Sequence, residues 1–271
     1  MSDPFRFDSH VHTSLSPCGD RAATPLVMWR AAQEMGLSAI GFTDHYSPGP
    51  VPTGSFYARP GQEVVDALRA ALRDLPCEPD TLIGIEADYT VLGEQAAPRQ
   101  VWGEVDYIII AASHYHLPGT PQPPGRDPRT VAAHMLAMAR RAVLLPGVSI
   151  LAHPFACNTL LPLPPLMNAL TDEELVELAV LARDRRVALE LNGGPSFKAE
   201  TYKEGVTRLF VLAKEVGARF TICSDAHRPA DLARAELAAQ WAREIGLREA
   251  DMLLPDELRA WHRAKTKEVK R

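Results

Sequence analysis

Short runs rich in Val, Ile, Leu, Phe and Ala alternate along the chain with longer segments whose apolar positions recur at helical spacing. The short runs, at residues 5–10, 38–43, 81–86, 105–112, 148–152, 187–191 and 219–223, predict seven strands. The longer segments, at 25–35, 62–74, 128–144, 172–185, 202–216 and 229–245, predict helices. Thr24-Pro25 is a helix start, and Thr171 with Glu174 three residues on reads as a capping box. Gly36, Gly217 and Gly246 stand where helices should stop. Strands alternating with helices predict a parallel sheet. On pattern alone, a barrel and a doubly wound open sheet are both open. Clusters of Pro and Gly at 47–54, 117–128 and 161–165 are loops. No internal repeat or low-complexity linker divides the chain, so one domain is expected over 1–271, with its core at 5–246 and a solvated basic tail at 255–271.

Composition narrows the function classes. The chain has 271 residues, 46% of them hydrophobic, enough for one large core. A net charge of −5 with no long basic run disfavours nucleic acid as a bulk partner. No apolar run has the length of a bilayer span or a signal peptide. Cys18, Cys77, Cys157 and Cys223 show no metal-finger spacing and read as reduced thiols. A soluble, cytoplasmic protein with a small-molecule partner is expected. Nothing in the sequence sets its oligomeric state.

The histidines and carboxylates fall at the ends of the predicted strands. His10 and His12 close the first, Asp44-His45 follows the second, and Glu86 ends the third. His114 follows the fourth, His153 the fifth, and Asp225 with His227 the seventh. Only the sixth departs, ending in "ELNGG". In a (β/α) barrel all strand C-terminal ends share one face, where active sites are built, so these residues would converge on one mouth. An open sheet would spread them along a line. Convergence favours the barrel. Residues i and i+2 of a strand point to the same side, so His10 and His12 can grip one ion. Asp225 and His227 can do the same from the opposite wall. The turn after His12 brings back Asp20 as a further oxygen ligand, with Cys18 as its rival. Imidazole with carboxylate suits Zn²⁺, Mn²⁺ or Fe²⁺. So many ligands exceed one ion and suit two or three, with Glu86 of the type to bridge.

The motifs "HVH", "TDH", the Glu of "GIEAD", "SHY", "AHP" and "SDAH", in that order, resemble those of the polymerase-and-histidinol-phosphatase (PHP) family of metal-dependent phosphoesterases. The resemblance runs from Phe7 to near Pro229. It implies a single-domain, distorted seven-stranded (β/α)7 TIM-like barrel with a trinuclear centre. Carried over position by position, the ligands are His10, His12, Asp20, His45, Glu86, His114, His153, Asp225 and His227. "GIEAD", "HY" and "SDAHRP" look most like the free-standing histidinol-phosphate phosphatases. Two positions depart from the pattern. Asp20 stands where a histidine often follows "CG", and the segment "AHPFACNTLLPLPP" has none of the basic residues those enzymes use to hold phosphate.

The expected reaction is hydrolysis of a small phosphate monoester, histidinol phosphate or a similar metabolite, by a metal-bridging hydroxide. Asp225, His227 and Glu86 carry the chemistry, and Arg228, Lys198 and Asn192 contact the substrate. The alternatives are a phosphodiesterase or nucleotide phosphatase with the same centre, an amidohydrolase-type carbonyl hydrolase, and a non-enzymatic module. Asp8 and Asp44 are expected to orient ligating imidazoles. His116, His134 and His262 are assigned no ligand role, and Cys223 is assigned to strand packing.

Overall fold

Strand β1 (Phe7–Val11) pairs in parallel with both β2 (Ala39–Phe42) and β8 (Phe220–Cys223). The computed structural model describes residues 3–49, 56–57, 59–88, 97–117, 120–156, 163–194 and 199–268. From β2 the sheet continues to β4 (Asp80–Asp88), β5 (Tyr107–Ala111), β6 (Ile150–Ala152), β7 (Ala188–Asn192) and back to β8, every pairing parallel. This closes a barrel from the seven strands that the alternation predicts, as the convergence of the strand-end residues favours. One addition is β3 (His45–Tyr46), a two-residue strand that pairs with the end of β4.

The predicted helices form as α1 (Pro25–Glu34), α2 (Gly61–Leu72), α4 (Pro128–Leu144), α6 (Asp172–Asp184), α7 (Ala199–Glu215) and α8 (Arg234–Glu244), the last entered through a 3₁₀ turn, Pro229–Ala233. Thr24 caps α1 by accepting from the Val27 N–H, and the Thr171/Glu174 capping box of α6 is complete. Three helices are absent from the sequence-based expectation: α3 (Arg99–Trp102), α5 (Leu163–Asn168) and α9 (Pro255–Glu268). No helix among the described residues is long and apolar enough to cross a membrane.

The barrel interior is filled by Phe7, Ala39, Leu82, Tyr107, Ile109, Ile150, Ala152 and Ala188. Tyr107 reaches across it and donates to the Ser9 carbonyl at 2.7 Å. The space it occupies exists because two neighbours lack side chains. A Cβ at Gly41 would stand 2.0 Å from the Tyr107 hydroxyl, and one at Gly84 would stand 2.8 Å from its ring. A packed interior confines chemistry to the ends of the strands.

Helix α9 corrects the expected solvated tail. Leu253 and Leu258 complete the interior cluster, with Trp261 packed against it. Arg259 holds Asp80 with two bonds, at 2.7 and 2.8 Å. Buried His262 donates through Nε2 to the Trp102 carbonyl at 2.8 Å, and its Nδ1 faces the Ser149 hydroxyl at 3.3 Å. Burial lowers the pKa of His262 below its ordinary 6.5. The unfolded chain therefore binds the proton more tightly, and stability is lost as pH falls below about 6.5 toward the folded value. One such group adds at most about 1.4 kcal/mol per pH unit to the slope. His262→Gln keeps a donor and an acceptor, and its melting temperature should depend less steeply on pH between about 7 and 5. Parallel thermal melts of the two proteins check this.

Candidate metal centre

Strand register alone begins to gather the site. His45 in β3 lies directly beside Glu86 in β4. Past the ladder, the Asp225 N–H donates to the His10 carbonyl at 3.0 Å, and the His12 N–H to the Ala226 carbonyl at 2.9 Å. The ends of β1 and β8 are thereby zipped together, with both imidazoles opposite Asp225. The register of β1 against β2 shifts between Asp8 and Val11, where the chain turns from interior packing to the mouth. Two members of the cluster, His153 (φ 26°) and Asp225 (φ 51°), hold left-handed backbone. Such conformations are costly for side chains other than Gly and persist where the surroundings fix them, often at functional sites.

Glu86, 1% exposed, is the centre of the cluster. Its Oε2 lies 3.5 Å from His10 Nε2, 3.3 Å from His12 Nε2 and 3.2 Å from His45 Nδ1. Its Oε1 lies 3.3 Å from His153 Nε2 and 3.7 Å from His114 Nε2. The two oxygens of one carboxylate thus face separate sets of imidazoles. On the opposite side, Asp225 Oδ1 is 3.7 Å from His10 Nε2 and 3.5 Å from His12 Nε2. His227 Nδ1 faces the Asp225 carbonyl at 2.8 Å.

Burial alone would strip charge from these groups. Desolvation raises Glu86 and Asp225, but the surrounding histidines, His45 and His10 for Glu86 and His10 and His12 for Asp225, hold both well below the usual carboxylate range. Burial likewise opposes charge on His12, yet its bonds to Asp225 and Glu86 raise it to about 9. Burial and the neighbouring His12 push His227 down to about 4. Burial, then the charges of Glu86 and Asp225, raise the Cys18 thiol.

The donor set fits divalent ions. His10 Nε2 and His12 Nε2 face each other at 3.0 Å, and Glu86 Oε2 stands 3.2 to 3.5 Å from three ring nitrogens. Among the described residues, five sets of ligand atoms lie mutually within 4.8 Å: His10/His12/Glu86, Glu86/His114/His153, His12/Asp225/His227, His12/Cys18/His45 and His10/Glu190/Cys223. Eight of the nine expected ligands are therefore brought together. Asp20 stands apart: it is exposed, and its carboxylate accepts from the Ala22 N–H of its own turn at 2.8 Å.

Other expectations fall differently. Asp8 and Asp44 bind backbone N–H groups, and Asp44 a hydroxyl as well, rather than imidazoles. Asp8 Oδ1 accepts from the His10 and Ser224 N–H groups, and Asp44 accepts from the Thr13 N–H and hydroxyl. Burial raises Asp8 to about 7. The carboxylate that does orient an imidazole is Glu190, absent from the sequence-based set. Fully buried, its Oε1 accepts from His10 Nδ1 at 2.9 Å and its Oε2 from the His153 N–H at 2.6 Å. Asn192 is buried at the mouth, where its Nδ2 donates to Asp225 Oδ2 at 3.3 Å and its Oδ1 accepts from the Gly194 N–H at 2.6 Å. Arg228 sits at the rim with its side chain 62% exposed, bonded to Asp231. Lys198 lies outside the described residues. His134 bonds the Pro121 carbonyl, and Cys223 is buried in β8.

A closed parallel barrel that gathers imidazoles and carboxylates at one mouth defines a metal-site barrel protein. The PHP domain model matches residues 8–194, and the chain belongs to that family. A probable phosphatase of Caldicellulosiruptor bescii is 24% identical over 230 residues, 85% of this chain and 83% of that one. A probable histidinol-phosphatase of Deinococcus radiodurans is 31% identical over 116 residues, 40% of this chain and 42% of that one. Among solved structures, the fold is similar to the histidinol phosphate phosphatase of Lactococcus lactis, determined with zinc, L-histidinol and phosphate. The TM-score is 0.56 at 16% identity, covering 89% of this chain and 94% of that one. It is also similar to a putative histidinol phosphatase of Listeria monocytogenes, with a TM-score of 0.60 at 14% identity, covering 84% of this chain and 97% of that one.

Proposed function

We propose that the protein is a metal-dependent phosphoesterase that hydrolyses a small phosphate monoester, histidinol phosphate or a metabolite like it. The observation that carries this reading is Glu86, whose two oxygens face two sets of imidazoles as a bridging carboxylate would. His10, His12, Glu86 and Asp225 would hold one ion, Glu86, His114 and His153 a second, and the side around His45 and His227 a third. Divalent ions there, Zn²⁺, Mn²⁺ or Fe²⁺, would supply an acidified water near neutral pH and neutralise charge on the transferring phosphoryl group. His227, with its side chain 26% exposed, and the adjacent Asp225 stand on the open side of the cluster. This pair borders the side from which a substrate would approach.

The phosphate needs cations that the segment after β6 lacks, since residues 153–166 contain no Lys or Arg. Two arginines after β8 take that role. Asp231 Oδ1 accepts from Arg228 Nε at 3.0 Å and from Arg234 Nη2 at 2.6 Å, holding both guanidiniums near the mouth. Arg234 is close enough to the cluster to feel the Asp225 carboxylate. Phosphate release should be assayed on histidinol phosphate, nucleotides and sugar phosphates, beside a phosphodiester, an amide and a lactone. Monoesters should lead, and Arg228→Ala and Arg234→Ala should each raise KM about tenfold or more with little change in kcat. Faster turnover of an amide or lactone than of any phosphate would replace this reading with carbonyl hydrolysis.

Glu190→Gln tests the support behind the ligands. A glutamine amide can accept at only one of the two positions where Glu190 now accepts. Either His10 loses its Nδ1 acceptor or the His153 N–H is left buried and unpaired. Zinc affinity, read by competition with a chromophoric chelator, should fall roughly ten- to a hundredfold.

A further inference from the structure

The first loop, between β1 and α1, holds a thiol where the sequence pattern directs attention to a carboxylate. Asp20 closes its own turn through its side chain, which accepts from the Ala22 N–H, while its backbone N–H donates to the His227 carbonyl at 2.9 Å. Cys18 lies on the inner side of the same loop. Its sulfur shares a set within 4.8 Å with one ring nitrogen each of His12 and His45. Ser16 fastens the loop to both imidazole-bearing segments: its hydroxyl oxygen accepts from the His45 N–H at 2.9 Å and lies 3.2 Å from His12 Nδ1. Gly19 makes the tight fold possible, since a Cβ there would stand 1.9 Å from the Thr13 carbonyl oxygen. The neighbouring Cys18 is thereby drawn in toward the mouth. By contrast, Cys77 is exposed on the surface.

We propose that Cys18 is a metal ligand, joining His45 at the third ion, beside His12, and that Asp20 is not. The inference rests on the multinuclear reading of the mouth. A thiolate in place of a carboxylate makes this position softer than the Glu86 positions. It favours zinc over manganese there, because thiolate selects zinc while carboxylate suits the harder ions. On binding, the Cys18 S–H bond is replaced by a sulfur–metal bond and the proton leaves to solvent.

Cobalt(II) replaces zinc as the probe, because thiolate coordination gives a near-ultraviolet charge-transfer band that imidazole and carboxylate do not. Wild type and Asp20→Ala should both show the band on cobalt loading, and Cys18→Ser should lack it. Cys18→Ser should also bind its weakest-held zinc at least roughly tenfold less tightly, with circular dichroism unchanged. Cys18→Ala is the second variant in case the serine hydroxyl coordinates. Zinc should protect Cys18 from alkylation by iodoacetamide, read by peptide mass spectrometry. A band that survives in both Cys18 variants, or is missing from cobalt-loaded wild type, overturns the assignment. These readouts need no turnover, so failure of the phosphatase reading leaves them intact. Failure to bind cobalt or zinc at all would overturn both.

Discussion

Asp225→Asn should lower phosphoester hydrolysis by roughly three decades or more while leaving the barrel folded. The aspartate lies opposite both imidazoles of the first strand, 3.7 Å from His10 Nε2 and 3.5 Å from His12 Nε2. Asparagine keeps the shape and removes the charge that a bound cation requires. It also suits the backbone, because Asn is among the few residues that tolerate the left-handed φ of 51° found here. The helices and the packed interior lie elsewhere, so circular dichroism should stay native. His10→Ala should act alike, since His10 faces Glu86, Asp225 and Glu190 together. Kinetics on the best substrate decide the matter. Activity within a few-fold of wild type, in a folded protein, means that these residues hold no essential ion.

The second large effect is on stability. Gly41→Ala should cost about 3 kcal/mol, the upper part of the range for overpacking a tight core. The added methyl would meet the Tyr107 hydroxyl at 2.0 Å and the Ser9 carbonyl at 3.4 Å. Tyr107 is fully buried and cannot swing away without leaving the Ser9 carbonyl unpaired inside the barrel. The melting temperature should drop by on the order of 10 °C. Tyr107→Phe in wild type loses one hydrogen bond, about 1 kcal/mol. In the Gly41→Ala background the same change removes the clashing oxygen, so it should cost less or stabilise. A double-mutant cycle by chemical denaturation measures this coupling. Additive effects would mean that the methyl is accommodated elsewhere.

The seven strands were legible because apolar runs alternate with amphipathic segments, and both the barrel and the metal cluster because His, Asp and Glu sit at the strand ends. What escaped has physical reasons. Helix α9 carries few apolar residues, Leu258 and Trp261 among them, and docks largely through polar groups such as Arg259 and His262. Lys265 does the same, bonding the Val148 and Arg186 carbonyls. A hydrophobic pattern cannot register contacts of that kind. Glu190 did leave a signal. It lies between Leu189 and Leu191 in a strand buried on both faces, and a carboxylate there requires a buried partner. The partner, His10, is far away in sequence. Arg234 reads as an ordinary helix residue until Asp231 is seen to gather it beside Arg228. Cys18 and Asp20 are separated only by the way the turn folds, with one side chain facing inward and the other capping the loop.

The central claim is that hydrolysis depends on more than one ion held around Glu86. Chelator-stripped protein should be titrated with Zn²⁺ or Mn²⁺, with bound metal counted by elemental analysis at each step and phosphate release measured on the same samples. The account predicts that activity stays near zero through the first equivalent, rises beyond it and levels off at two or three ions per chain. Full activity at a single equivalent, or a metal count that never passes one, would contradict it.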